Sequence, residues 1–190
     1  MDKHLVTAAE MVHGLKQQLD EDVDRHCEPF GECGRTGALF KVRFRSHGYT
    51  FVSKETISSP RQIVSRKAMF YQILSSAQGS EVPTFLGTID MEQSYFRHRA
   101  SEIQHMLLMA WEGEPLTDSQ WQTKLHAVKR SFGTIYKLSV RHGDVWPSNT
   151  LWNPQMNCVL IIDCHKSELL ETQSRMPKRT SGSLENPKKR

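Results

Sequence analysis

No apolar run in this 190-residue chain approaches the roughly 20 residues that a membrane-spanning helix needs. The opening Met1-Asp2-Lys3-His4 also lacks the charged-then-apolar layout of a secretory signal. The expectation is a protein of the cytoplasm or nucleus with no membrane partner. Zinc-type cysteine spacing is missing too. Cys27, Cys33, Cys158 and Cys164 form two pairs, each separated by five residues, wider than the usual metal motifs. A reducing compartment would keep such thiols free. A basic excess is missing outside the C-terminal tail: the formal net charge is +4, and Arg175, Lys178, Arg179, Lys188, Lys189 and Arg190 hold that excess. The folded part is therefore expected to offer no polyanion-binding face, and a nucleic-acid partner is not expected. Pro187-Lys188-Lys189-Arg190 stays open to two readings, a solvated tail or a nuclear-import segment. The last absence is local: no acidic residue occurs between Thr56 and Gly79.

What is present suffices for a real core, as one domain or two small lobes. Leu5, Ala8, Ala9, Val12, Leu15 and Leu19 recur at helical spacing, so an amphipathic helix followed by an acidic linker is expected over residues 1–26. Residues 38–44 and 49–54 alternate around Ser46-His47-Gly48, which predicts a hairpin. A helix is expected to start at Ser58-Ser59-Pro60 and to turn Ile63, Val64, Phe70, Ile73 and Leu74 mainly to one side. Strands follow over Val82 to Ile89 and His105 to Trp111, then one helix over Asp118 to Leu138 capped by Thr117 or Asp118. A last hairpin pairs Thr150-Leu151-Trp152 with Val159 to Ile162. Beyond Leu170 the Ser, Pro, Lys and Arg content predicts disorder.

Between that helix and hairpin lies Val140-Arg141-His142-Gly143-Asp144, with Asn149 five positions after the Asp, and the apolar strand Val159 to Ile162 ends on Asp163. Two carboxylates and an amide are oxygen donors suited to a hard cation such as magnesium, and an Asp can orient the proton of an attacking hydroxyl. The alternative is a plain turn between helix and strand. The element order and the phrase from His142 through Asn153 to Asp163 resemble the protein-kinase superfamily, closest to fungal kinase-like and aminoglycoside-phosphotransferase-like proteins. The resemblance implies an α+β, compact two-lobe fold with a β-rich N-lobe (about 27–111), a truncated helical C-lobe (about 112–170) and a basic tail over 171–190. It implies Asp144 as catalytic base, Asn149 and Asp163 as magnesium ligands, and ATP with Mg2+ as cofactors.

Upstream, Gly31, Gly34 and Gly37 resemble the kinase glycine-rich loop, with the usual closely spaced first pair replaced; a plain hairpin turn remains the alternative. Lys54 resembles the lysine that contacts the nucleotide phosphates. The resemblance calls for a Glu on the next helix, and Lys67 stands there instead. Because two ammonium groups repel in a cleft, Lys67 is expected to point outward. Cys164-His165 replaces the usual Phe-Gly, and 27 residues follow Asp163, too few for a large substrate lobe. Trp111, Trp121, Trp146 and Trp152 are expected as core and cleft-wall aromatics. Met109 is a gatekeeper-like packing residue beside a hinge, and His98, His105 and His126 are surface or packing histidines. Two functions follow: a magnesium-ATP phosphotransferase acting on a hydroxyl of a protein or small molecule, or a pseudokinase, a nucleotide-responsive or structural module with a protein partner.

Overall fold

Thr7 opens the first helix. Its hydroxyl accepts the Glu10 N–H while the Glu10 carboxylate accepts the Thr7 N–H, a capping box that starts α1 (Ala8–Glu21). The computed structural model describes residues 6–34, 37–55, 61–95 and 103–170, with the backbone alone for 30–34, 37–38, 54–55, 93–95 and 103. The helix start expected at Ser58 to Pro60, His98 and the basic tail lie outside the described residues. The acidic segment expected as a linker folds as a capped turn: the Asp22 carboxylate accepts the Arg25 N–H and begins α2 (Val23–His26).

Five antiparallel strands follow: β1 (Cys27–Gly34), β2 (Gly37–Arg43), β3 (Thr50–Glu55), β4 (Phe85–Tyr95) and β5 (Ile103–Ala110), in the order β1-β2-β3-β5-β4. The expected hairpin is β2–β3, in register from Leu39–Lys54 to Arg43–Thr50. Alternation sorts the core into two layers. Phe40, Val42, Phe44, Phe51, Met106 and Leu108 pack with Leu15 and Leu19 of α1. On the other face, Val52, Leu107 and Met109 join α3 (Arg61–Ile73) through Val64, Ala68, Phe70 and Tyr71. Burial on both faces explains the unbroken apolar run Met106 to Met109. Helix α3 is rotated from expectation: Ile63 and Ile73 are exposed, and Lys67 and Tyr71 are buried.

The remaining elements are β6 (Glu114–Pro115), α4 (Asp118–Thr123), α5 (Leu125–Lys137), β7 (Val140–Arg141), β8 (Thr150–Asn153), β9 (Cys158–Ile161) and β10 (Glu168–Leu169). They form a β6-β8-β9 sheet and a β10-β7 pair, both antiparallel, so the whole is a mixed α+β structure. The single helix expected over Asp118 to Leu138 is two helices. The break falls at Lys124, whose backbone leaves helical geometry while its ammonium sits 3.3 Å from the Trp152 ring centroid. Thr117 caps α4. The Ser131 hydroxyl donates to the Val159 carbonyl at 2.7 Å and fixes α5 on β9. The Ile161 N–H donates to the Glu81 carbonyl at 2.7 Å and ties β9 to the chain leading into β4. Among the described residues no helix is long and apolar enough to cross a membrane.

His142 sits in this lower layer, with its ring edge on Phe132 at 5.4 Å between centroids and Nε2 2.9 Å from the Ile162 carbonyl. A carbonyl only accepts, so Nε2 carries the hydrogen. Burial pushes the pKa of His142 below the ordinary histidine value, and the Ile162 carbonyl with the Asp163 and Asp144 carboxylates offsets this only in part.

Two predictions come from these contacts. The Gln18 amide donates to the Arg43 carbonyl at 2.7 Å and accepts the Arg45 N–H at 2.9 Å, closing α1 over the end of β2. Gln18→Ala leaves both backbone groups unsatisfied and should cost about 1–3 kcal/mol in urea unfolding. For His142, the unfolded chain binds a proton that the folded chain resists, so stability is full above the ordinary histidine pKa of about 6.5 and declines as pH falls below it. His142→Asn should lower stability at neutral pH yet flatten its decline from about pH 7 to pH 5, read from urea midpoints across that range.

Candidate functional site

The loop after β7 is held from both sides. Gly143 has φ +75°, and a Cβ there would lie 2.5 Å from the Lys166 carbonyl oxygen, so conformation and space both require glycine. The next residue, Asp144, is mostly covered. Its Oδ2 accepts the Asn149 side-chain amide at 3.0 Å, and the same nitrogen reaches the Asp144 carbonyl at 3.0 Å. Its Oδ1 accepts the Lys166 ammonium at 2.8 Å. Burial alone would raise the Asp144 pKa, but the hydrogen bonds from Lys166 and Asn149 and the charges of Lys166 and His165 outweigh it and hold the carboxyl below its usual range. The Asp144 carboxylate is thus ionised and oriented at neutral pH.

Asn149 ends a short 3-10 turn, Pro147–Asn149, and is buried. Its carbonyl accepts the Ile162 N–H at 2.9 Å, which brings the turn against the residue leading out of β9. Asp163 follows in the left-handed conformation, φ 65° and ψ 66°, which Asp tolerates better than most residues. Asp144, Asn149 and Asp163, far apart in sequence, are therefore gathered by two hydrogen bonds to the backbone of Ile162 and one amide bridge.

Asp163 is almost wholly enclosed, and so is the residue facing it. The Lys67 ammonium lies 3.4 Å from Asp163 Oδ1, with side-chain exposures of 3% and 2% for the lysine and the aspartate. Lys67 was expected to point outward, and it points inward. The physical reason is the stripe Val64, Lys67, Ala68 and Tyr71, spaced i, i+3, i+4 and i+7 on the buried side of α3, with an anion waiting at its end. The helix is seated there by Arg66, which donates to the Ser167 carbonyl at 2.9 Å, and by Tyr71, stacked on Phe85 at 5.7 Å. Burial, with the Cys164 and Asp163 charges, pushes the Tyr71 hydroxyl well above its ordinary pKa. The other Asp163 oxygen, Oδ2, is 3.2 Å from His165 Nδ1.

The remaining candidates are placed by backbone. Gly31 and Gly34 lie in β1 and Gly37 begins β2, with Gly34 opposite Gly37 at the hairpin end. That position suits a phosphate loop and a plain hairpin equally. Lys54 pairs with Leu39 on one side and Leu107 on the other, and its side chain lies outside the described residues. Leu39 also packs against Leu151, Leu160 and Ile162, so the five-stranded sheet meets the β8–β9 hairpin at an apolar seam beside these groups.

A magnesium ion between Asn149 and Asp163 would have to share Asp163 with the Lys67 ammonium. The buried Lys67 ammonium already stands 3.4 Å from Asp163 Oδ1 as an ion pair, and His165 Nδ1 lies 3.2 Å from Oδ2 without hydrogen-bond geometry. Among the described residues no three His, Cys, Asp or Glu side chains converge as a metal site. The donor set, as arranged, does not fit a divalent ion on Asp163.

Several features escape sequence reasoning. Lys166 reaches Asp144 only because a turn over Cys164–Lys166 folds back, which no spacing rule signals. Trp146, expected in the core or cleft wall, is 63% exposed beside Val145 and next to Asp144. A recess lined by Arg25, His26, Lys41, Arg43 and Arg45 with Glu28 gathers basic charge that the sequence scatters over some twenty residues.

No known family model matches the chain. Over 193 aligned residues, covering 99% of the chain, it is 31% identical to a protein of Podospora anserina named meiotic driver SPOK2. The chain spans about a quarter, 24%, of the length of that curated relative.

Proposed function

We propose that this chain is a protein-kinase-like domain that takes ATP between the glycine hairpin and the Asp144 loop, and in which Asp144 orients a hydroxyl for transfer of the terminal phosphoryl group. The supporting observation is the Asp144 cluster. A base for this step needs an ionised carboxylate fixed in direction, and Asn149 and Lys166 supply both conditions. The Lys166 ammonium, beside that carboxylate, is also suited to the charge that develops on a transferring phosphoryl group. The backbone position of Lys54 on β3 and the glycines at the β1–β2 end support a phosphate site on that side, and Leu39, Leu151 and the Ile162 side chain would flank the base. The α+β order of sheet, α3, sheet and helical layer supports a two-lobe arrangement with residues 27–111 above and 112–170 below. In this reading the nucleotide is the cofactor, and a protein or small-molecule hydroxyl is the substrate.

The Lys67–Asp163 pair favours a second reading, in which the same site binds nucleotide and signals to a protein partner without turnover. The match to part of a meiotic driver supports either reading as the role of one unit in such a protein; drive itself is named for the relative.

ATP should raise the melting temperature of the intact chain, by about 2.7 kcal/mol of stabilisation at a hundredfold excess over Kd. Absence of any shift, with no competition by ATP for a fluorescent analogue, rejects both readings. Asp144→Asn should retain ATP binding and reduce phosphate transfer by about 10²–10⁴-fold. Lys166→Met removes the charge that lowers the Asp144 pKa, so the acid limb of the pH–rate profile should move to higher pH. Equal, negligible turnover in wild type and Asp144→Asn, with ATP bound, selects the second reading.

A further inference from the structure

We infer that Lys67 is the resident cation of this site: its ammonium holds Asp163 where the kinase resemblance would put a divalent ion, so the chain binds nucleotide without needing metal. The nucleotide half of this inference rests on the reading above. The metal half stands on the geometry alone.

Charge comes first. Asp163 and Lys67 are one anion and one cation, both nearly sealed from water, and together they are neutral. A divalent ion added at the same carboxylate would leave a net positive charge in a region where water cannot screen it. Reach comes next. An aspartate that serves a metal keeps at least one oxygen directed to open space, where the ion's waters and the substrate phosphates complete the shell. Here Oδ1 lies against the Lys67 ammonium as an ion pair rather than a hydrogen bond, and Oδ2 lies 3.2 Å from His165 Nδ1, so the space beside Oδ1 is filled by a cation. The mounting is rigid as well. Lys67 stands within the buried stripe of α3, which Arg66 fastens to Ser167 and which Tyr71 fastens to Phe85. Withdrawing the ammonium requires lifting this helix, whereas a lysine on a surface loop would simply swing away.

The functional consequence is a site whose positive charge is built in. Nucleotide phosphates would meet the exposed Lys166 ammonium in front of a buried, already neutralised Lys67–Asp163 pair, which suits a nucleoside di- or triphosphate in its metal-free form.

The test uses the full chain and two probes. Manganese(II) alone, a spectroscopic stand-in for magnesium, is titrated and followed by electron paramagnetic resonance. ATP affinity is measured in EDTA and again in excess magnesium. The expected result for wild type is no saturable manganese binding up to about 1 mM, and ATP affinities in the two conditions that differ by less than about tenfold. Saturable manganese binding that Asp163→Asn abolishes, or a gain in ATP affinity with magnesium of about tenfold or more, overturns the inference. Lys67→Met should gain a manganese site, and Lys67→Met/Asp163→Asn should lose it again; a folded Lys67→Met that binds no manganese also overturns it. If Lys67→Met does not fold, the wild-type measurements decide. Wild type that binds ATP in neither condition overturns the nucleotide reading and leaves the metal half to the manganese result.

Discussion

A carboxylate and an ammonium can be sealed from water together only if each remains against the other, because either one alone would carry a desolvation penalty of several kcal/mol. The Lys67–Asp163 pair meets that condition, and much of the site depends on it. It sets how α3 sits on the end of β9. That seating places Arg66 on the Ser167 carbonyl and so fixes the return of the chain after Asp163. The return in turn aims Lys166 at Asp144 and presses its carbonyl against Gly143. Deleting one partner of such a pair typically costs about 3–5 kcal/mol, a large share of a small domain's stability.

The two lysine–carboxylate pairs of the site differ in kind. Lys166 is 53% exposed at its side chain and Asp144 12%, so their attraction is screened by solvent and contributes on the order of 0–1 kcal/mol. Such a contact can open when a ligand offers Lys166 a better anion. Lys67 has no comparable freedom, since its side chain is almost fully enclosed. One pair is therefore free to open, and the other holds the frame. The Asn149 amide supports the first role, because it keeps Asp144 oriented when Lys166 leaves.

The β2–β3 hairpin was legible because alternation and a turn signal coincide in one short segment, and the final hairpin was legible for the same reason. The grouping of Asp144, Asn149 and Asp163 was expected only from the resemblance of the phrase His142 to Asp163 to protein kinases, and hydrogen bonds through the Ile162 backbone bring them together. The direction of Lys67 was not legible. Its inward position follows from Val64, Ala68 and Tyr71 sharing its helix face, a periodicity that the sequence does contain, but a lysine on that stripe is favourable only when an anion from a distant segment meets it. Lys124 is a similar case: Trp121, Leu125 and Val128 keep helical spacing across it, while its contact with the Trp152 ring, distant in sequence, coincides with the break between α4 and α5. β1 was obscured by Pro29, Gly31 and Gly34, poor strand residues in a strand that pairing with β2 nevertheless holds in place. In each instance the missing information was a long-range partner.

The wiring from His142 to Asp163 is mostly backbone. His142 bonds the Ile162 carbonyl, the Ile162 amide bonds the Asn149 carbonyl, and Asn149 bridges back to Asp144. Those bonds position the carboxylates whatever cation accompanies them. The discriminating charge arrives on a separate element, α3. A site assembled this way can change its cation by one substitution on that helix and leave the loop intact, which is why a motif complete in its acids and amide can stand in a chain whose electrostatics differ from those the motif implies.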